Sequence, residues 1–332
     1  MGFELPKAKS LAKRVFNLNN EKDFLQIALD IFQHQYLTSA VYKAYCEAIK
    51  ANPQQVKRID QIPFLPIQFF KNFEVTAGLF HPQVVFKSSG TSGEKTSHHH
   101  LKEVAVYETS FLNCFKIFYG NPEGACILGL LPSYLEKGDS SLVYMVDCLI
   151  KKSGHRLSGF YLYEHQKLKE TLLQAEAAGE RTILFGVSYA LLDFAEAFPM
   201  PLQNTTIIET GGMKGRKKEI TKDALYHQLK AAFSMNEIHS EYGMTELLSQ
   251  AYGVNGLYRT PPWMKVLLRE ETDPFSFSSS TGVINVIDLA NFNSCSFIAT
   301  DDRGRLHKDE RFEILGRLDN SDIRGCSQLV IV

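Results

Sequence analysis

The stretch SSGTSGEKTS, residues 88–97, follows the short apolar run Val84-Val85-Phe86 and leads into an amphipathic segment at 103–118. Two glycines among small hydroxyl residues let backbone N–H groups converge on a phosphate, and Lys95 adds a point charge. The spacing from Gly90 through Gly93 to Lys95 is too short for a Walker A loop, and no G-x-G-x-x-G is present. A Ser/Gly-rich turn also serves as a plain solvent loop, so its surroundings matter. Downstream, ACILGLL (125–131), TILFGV (182–187), TTIIE (205–209) and MNEIHSEYG (235–243) read as strands or end in one. Segments 103–118, 140–152, 165–179, 188–197 and 220–233 carry helical periodicity between them. Strands alternating with helices predict an α/β core with a largely parallel sheet.

Upstream, Phe24, Leu25, Ala28, Leu29, Ile31 and Phe32 recur at helical spacing, and Val41 to Ile49 continue the pattern until Asn52-Pro53. In IPFLPIQFFK (62–71) two prolines predict an extended entry segment. After 250 the helical period fades. GVINVIDLAN (282–291), SCSFIATDD (294–302) and FEILGRLDN (312–320) read as strands of a β-rich final third.

Composition narrows the function classes. The 332 residues are 44% hydrophobic and 22% charged, which excludes a disordered chain. Lysine plus arginine number 36 against 37 acidic residues, so no global basic field exists to hold nucleic acid. Six cysteines form no C-x-x-C pair and read as reduced, core-filling thiols. No apolar run reaches signal-peptide or membrane-span length, so a cytoplasmic protein without a span is expected.

Three further segments carry chemistry. In HSEYGMTELLS (239–249), Thr245 and Glu246 at a strand-to-helix turn offer oxygen ligands to Mg²⁺ beside a nucleotide. The same residues also read as a helix N-cap with an acidic first turn. In IATDDRGRL (298–306), Asp302 could accept from a ribose diol. In ILGRLDNSDIRG (314–325), Arg317 could brace that sugar or a phosphate with its planar fork. Each alone is also a polar turn between strands.

The order and spacing of the four segments together resemble the adenylate-forming superfamily of acyl-CoA ligases, luciferases and adenylation domains. IPFLPIQFFK, LLPSYLEKGDSSLVYM (130–145), ETGGMKGR (209–216) and the RGC at 324–326 are similar to the acyl-protein synthetase (LuxE-type, fatty-acid–protein ligase) family. The resemblance runs from about residue 60 onward. It implies the large-domain architecture of that superfamily: layered, mostly parallel sheets flanked by helices, with a β-rich C-terminal subdomain. The expected division is a helical region over 1–75, an α/β nucleotide-binding core over 76–250 and the β-rich subdomain over 251–332.

The resemblance further implies ATP- and Mg²⁺-dependent activation of a carboxylic, most simply fatty, acid to an acyl-adenylate, then transfer to a thiol as a thioester. Ser88, Ser89, Gly90, Thr91, Gly93 and Lys95 would cradle the outer phosphates. Thr245 would touch the α-phosphate, and Glu246 would bind Mg²⁺. Tyr242, with Gly243 behind it, would stack near the adenine, and Gly211-Gly212 would line the adenine or acyl pocket. Asp302 and Arg317 would hold the ribose, with Asp319 as the hinge. The sequence runs thirteen residues past Asp319, so the lysine that the superfamily carries beyond the hinge is expected to be missing. Lys95 and Lys214 are the candidates to replace it. Cys326 lies seven residues past Asp319, a reach of about 24 Å, and matches the family's acyl-accepting cysteine. A neighbouring Arg324 would favour its thiolate. Otherwise it is a cysteine closing a terminal strand.

Expected onward partners are an acyl reductase, an acyltransferase or a carrier protein. Two alternatives stay open: a ligase whose acceptor is coenzyme A or a carrier thiol, and a non-catalytic nucleotide-binding or scaffold protein. Remaining features take plainer readings. His98-His99-His100 is expected as an exposed loop face, since adjacent side chains cannot converge on one ion. FGVSYA (185–190) approaches a nucleophile elbow at Ser188, with His239 or His307 as a conceivable base, but Ala190 replaces the second glycine. Phe185, Tyr189 and Leu192 suit an acyl-pocket wall or simple core. Trp263 has no readable role.

Overall fold

In the computed structural model, which describes residues 8–88, 95–131, 139–211 and 220–318, the chain opens with helices α1 (Ala8–Val15), α2 (Glu21–Thr38) and α3 (Ala40–Ala48). Asn20 caps α2 by accepting from the Lys22 and Asp23 backbone N–H groups, both at 3.0 Å. Phe24, Ile27, Ala28, Ile31 and Phe32 form its buried stripe. Gln35 is fully buried on the same face and fully used: it donates to the Asn291 carbonyl (3.1 Å) and accepts from Ser296 N–H (3.1 Å). The helical region is thereby fastened to residues 256 to 261 positions away.

The segment at 62–71 is extended only in part. β1 (Leu65–Pro66) pairs in parallel with Ile298 and Ala299, but Phe69–Asn72 then forms the short helix α4. Both prolines precede that turn, so neither ring opposes it. β2 (Val84–Lys87) and β3 (His98–Leu101) form a separate antiparallel hairpin. The core follows as α5 (Val104–Tyr119), β4 (Cys126–Leu130), α6 (Ser141–Ser153), β5 (Gly159–Phe160), α7 (His165–Ala177), β6 (Thr182–Val187), α8 (Ser188–Ala197), β7 (Thr205–Thr210), α9 (Lys222–Phe233) and β8 (His239–Tyr242). Every residue of β4 and β6 is buried, as their unbroken apolar runs require of parallel strands. Gly129 is required by β5: a Cβ there would fall 2.6 Å from the Phe160 ring.

β9 (Ala251–Val254), β10 (Leu257–Arg259), β11 (Met264–Arg269), β12 (Phe277–Ser278), β13 (Thr281–Asp288), β14 (Phe297–Leu306) and β15 (Phe312–Arg317) complete one sheet. Its order is β12-β11-β13-β14-β15-β10-β9-β8-β7-β6-β4-β5, with β1 on β14. The half from β5 to β8 is parallel and helix-flanked, and the half from β8 to β12 is antiparallel. Among the described residues, no helix is long and apolar enough to cross a membrane. The described cysteines are free thiols: Cys46, Cys114, Cys126 and Cys295 are buried, and Cys148 partly so.

Candidate functional site

β14 and β15 run antiparallel with Asp302 directly opposite Arg317. Arg317 Nε donates to Asp302 Oδ1 at 2.9 Å, and the Tyr242 hydroxyl at the end of β8 donates to Asp302 Oδ2 at 2.9 Å. Asp302 is 1% exposed. Burial, then the charge of Asp302, holds the Tyr242 hydroxyl far above its usual pKa, so it stays a donor. Its ring packs edge-on against Tyr258 and Phe312, at 6.1 and 5.7 Å between centroids. Tyr242 therefore braces Asp302 from within the core.

Past Tyr242 the chain turns at Thr245–Glu246 and proceeds to β9, with no helix between. The expected strand-to-helix turn is thus a strand-to-strand turn, and the N-cap reading lapses with it. Asp288 replaces the missing helix as its anchor. Its carboxylate accepts from Leu248 N–H (2.7 Å), Ser249 N–H (3.0 Å) and the Ser249 hydroxyl (2.6 Å). Glu246 is 1% exposed, and its carbonyl accepts from Asn291 Nδ2 at 2.8 Å. His99 connects this turn to the hairpin that carries residues 88–97. Its Nδ1 lies 2.7 Å from the Thr245 carbonyl and its Nε2 3.0 Å from Asn291 Oδ1. The triple histidine is accordingly a strand, not an exposed loop face. Pairing of Phe86 with His99 alternates the side chains, leaving His98 exposed and His99 1% exposed. Within the hairpin, Ser88 Oγ accepts from Ser97 N–H at 2.8 Å, and Lys95 is exposed.

β7 and β8 are neighbours with parallel C-terminal ends, so Gly211 and Tyr242–Gly243 emerge at one edge of the sheet. Gly211 has φ +77°, a conformation that a side chain resists. A Cβ at Gly243 would run into the Glu241 carboxylate. Glu241 accepts from the Thr210 hydroxyl at 2.5 Å. Burial, against that bond and with the charge of Glu209, pushes its pKa up to about 7. Glu209 is also raised, by burial. Lys222 donates to the Tyr258 hydroxyl at 2.5 Å; burial opposes its charge, yet Tyr226, Tyr258 and Glu209 raise its pKa overall.

Of the expected site residues, Ser88, Lys95, Gly211, Tyr242, Gly243, Thr245, Glu246, Asp302 and Arg317 fall within the described parts. Ser89, Gly90, Thr91, Gly93, Gly212, Lys214, Asp319 and Cys326 lie outside the described residues. Ser188 is no nucleophile elbow. It is 1% exposed, and its hydroxyl contacts Glu209 and the Gly211 carbonyl, not a histidine. His239 instead meets Tyr119, and His307 meets Glu313. Trp263 acquires a role: its Nε1–H reaches Ser110 Oγ (3.1 Å) and Ser249 Oγ (3.0 Å), tying α5 to the turn that Asp288 anchors. Among the described residues no cluster of three metal-ligating side chains exists. The residues expected to meet Mg²⁺, Thr245 and Glu246, lie together on this turn, and a carboxylate beside a hydroxyl is oxygen chemistry suited to that ion.

No family model matches the chain. Over 77 residues it is 35% identical to the long-chain-fatty-acid–luciferin-component ligase of Photorhabdus luminescens, covering 23% of this chain and 66% of that one, just under two thirds of its length. The fold is similar to that of 2-hydroxyisobutyryl-CoA ligase in its postadenylation state (TM-score 0.64, 10% identity, 96% of this chain and 73% of that one). An open conformation of that ligase with 2-HIB-AMP and CoA gives 0.66, 10% identity and 96% and 80% coverage. O-succinylbenzoate coenzyme A synthetase from Bacillus subtilis, with ATP and magnesium ion, gives 0.51, 16% identity and 74% and 52%. The chain has the fold of the adenylate-forming ligases, as its four motifs suggest.

Proposed function

We propose that the protein is an ATP-dependent, AMP-forming acid–thiol ligase. The observation that carries the reading is the braced pair Asp302–Arg317 on adjacent strands. It is joined through Tyr242 to the end of β8, where Thr245–Glu246 and the hairpin at 88–97 are linked by His99. In the first half-reaction a carboxylate oxygen of the acid attacks the α-phosphorus of ATP. The bond to the bridging oxygen breaks, and pyrophosphate leaves. In the second, a thiolate sulfur attacks the acyl carbonyl and AMP leaves, giving a thioester. Both steps are largely positioning and charge neutralisation. In this reading Asp302 and Arg317 would orient the ribose, Ser88, Lys95 and the residues between them would meet the outer phosphates, and Thr245 would approach the α-phosphate. Mg²⁺, when bound through Glu246, would neutralise phosphate charge.

The acid is proposed to be a fatty acid, supported by the likeness to the long-chain-fatty-acid–luciferin-component ligase. The acceptor is proposed to be Cys326, with onward delivery to an acyl reductase, an acyltransferase or a carrier protein. Intact mass spectrometry after incubation with ATP, Mg²⁺ and palmitate tests this. An acyl adduct removed by hydroxylamine and absent in Cys326→Ala is expected. Adenylate formation without an adduct would instead place the acceptor thiol on coenzyme A or a carrier.

A further inference from the structure

Ser188 opens α8 and Glu209 lies one residue from the end of β7; each is 1% exposed. Ser188 Oγ lies 2.5 Å from Glu209 Oε1 and 2.9 Å from the carbonyl oxygen of Gly211. A serine hydroxyl has one proton to give and two lone pairs to receive. A carbonyl oxygen only accepts, and so does an ionised carboxylate. With Glu209 ionised, one proton would face two acceptors, and one contact would be oxygen against oxygen. With Glu209 protonated the chain closes: Glu209 donates to Ser188 Oγ, and Ser188 donates to Gly211.

We propose that Glu209 is kept as a neutral carboxylic acid and, through Ser188, acts as a positioning residue that fixes the Gly211 carbonyl at the wall of the adenylate site. The inference rests on the functional reading above only in naming that wall. Gly211 is the place where such control matters, because its left-handed φ lets the following peptide turn. Once ionised, Glu209 accepts the Ser188 hydrogen bond, and the Gly211 carbonyl is left without that donor.

Among the described residues, the groups facing Glu209 divide. Burial and the carboxyl of Glu241 on β8 favour the neutral form. Lys222 on α9 favours ionisation, but its Nζ is held by the Tyr258 hydroxyl and makes no ion pair with Glu209. Tyr226 of α9 is occupied with Ser240 at 2.7 Å. On β6 the register partner is Gly186, which carries no charge.

The test is Glu209→Gln, whose carboxamide can donate to Ser188 but cannot ionise. In the wild type the half-saturating ATP concentration is expected to rise as pH climbs through the folded pKa of Glu209. Glu209→Gln should keep the low-pH value across the range. Glu209→Ala and Ser188→Ala should raise it about tenfold at every pH with a smaller change in kcat. Infrared difference spectra of the intact protein at pH 7, on a Glu241→Gln background, should show a protonated-carboxyl C=O band that Glu209→Gln removes. An unchanged band, or a Gln variant as impaired as Ala, would overturn the proposal. Failure of the wild type to bind ATP would overturn the functional reading instead, and the infrared band would still decide the protonation of Glu209.

Discussion

Each oxygen of Asp302, the carboxylate proposed to hold the ribose, already accepts one hydrogen bond from protein. A carboxylate oxygen can accept a second, so a ribose diol could still be received. Asp302→Asn keeps the shape but removes the charge that faces Arg317, whose side chain is 10% exposed. Breaking a buried pair from one side typically costs about 3 kcal/mol. A drop of that size in urea-unfolding stability, with loss of ATP binding, is the expected result. Tyr242→Phe removes only the bracing bond, at about 1.5 kcal/mol, and should weaken ATP binding less than Asp302→Asn does. The four motif segments could be singled out in the sequence because their residue types and spacing are local. His99, Asp288 and Asn291 were not, since their partners lie between 39 and 192 positions away, and no periodicity announces such contacts.

At the scale of elements, the helices and buried strands of the parallel half were readable because amphipathic stripes and unbroken apolar runs report burial directly. Val104–Tyr119, Ser141–Ser153 and Thr182–Val187 follow the sequence periodicity closely. The short strands β9 to β12 escaped, as two- to six-residue segments carry too few alternations to declare a face. The helical turn at Phe69–Asn72 was hidden by the prolines before it. The β2–β3 hairpin depends on His99 to hold it to the turn at 245–246. His99→Phe would keep the edge-on packing against Phe70 (5.8 Å) but remove the imidazole N–H that one of the two acceptors, the Thr245 carbonyl or Asn291 Oδ1, receives. A loss of about 2 kcal/mol is expected, together with a weakened ATP interaction. Retained ATP affinity in that variant would deny the hairpin its role as a strut.

Across the whole molecule, three buried carboxyls share one electrostatic tendency. Burial raises the pKa of Glu209, Glu241 and Asp288, reaching about 7 for Glu241. The folded state therefore retains protons that the unfolded chain releases near its ordinary carboxylate pKa. Their stabilisation is complete below that value and is lost as pH rises through the folded pKa. For Glu241 the window runs from about 4.5 to about 7 and is worth up to about 3 kcal/mol. The urea midpoint should be higher at pH 5.5 than at pH 8, and Glu241→Gln should shrink that difference. An equal difference in the variant would assign it to other groups.

The central claim concerns adenylate formation, and ATP–pyrophosphate exchange reads it without reference to the final acceptor. Purified protein would be assayed with Mg²⁺ and a series of carboxylic acids from acetate to palmitate. The account predicts exchange that depends on the acid, strongest with a long chain, and abolished in Lys95→Ala and Glu246→Gln while both remain folded. Absence of exchange with every acid, or exchange unaffected by both substitutions, would contradict it.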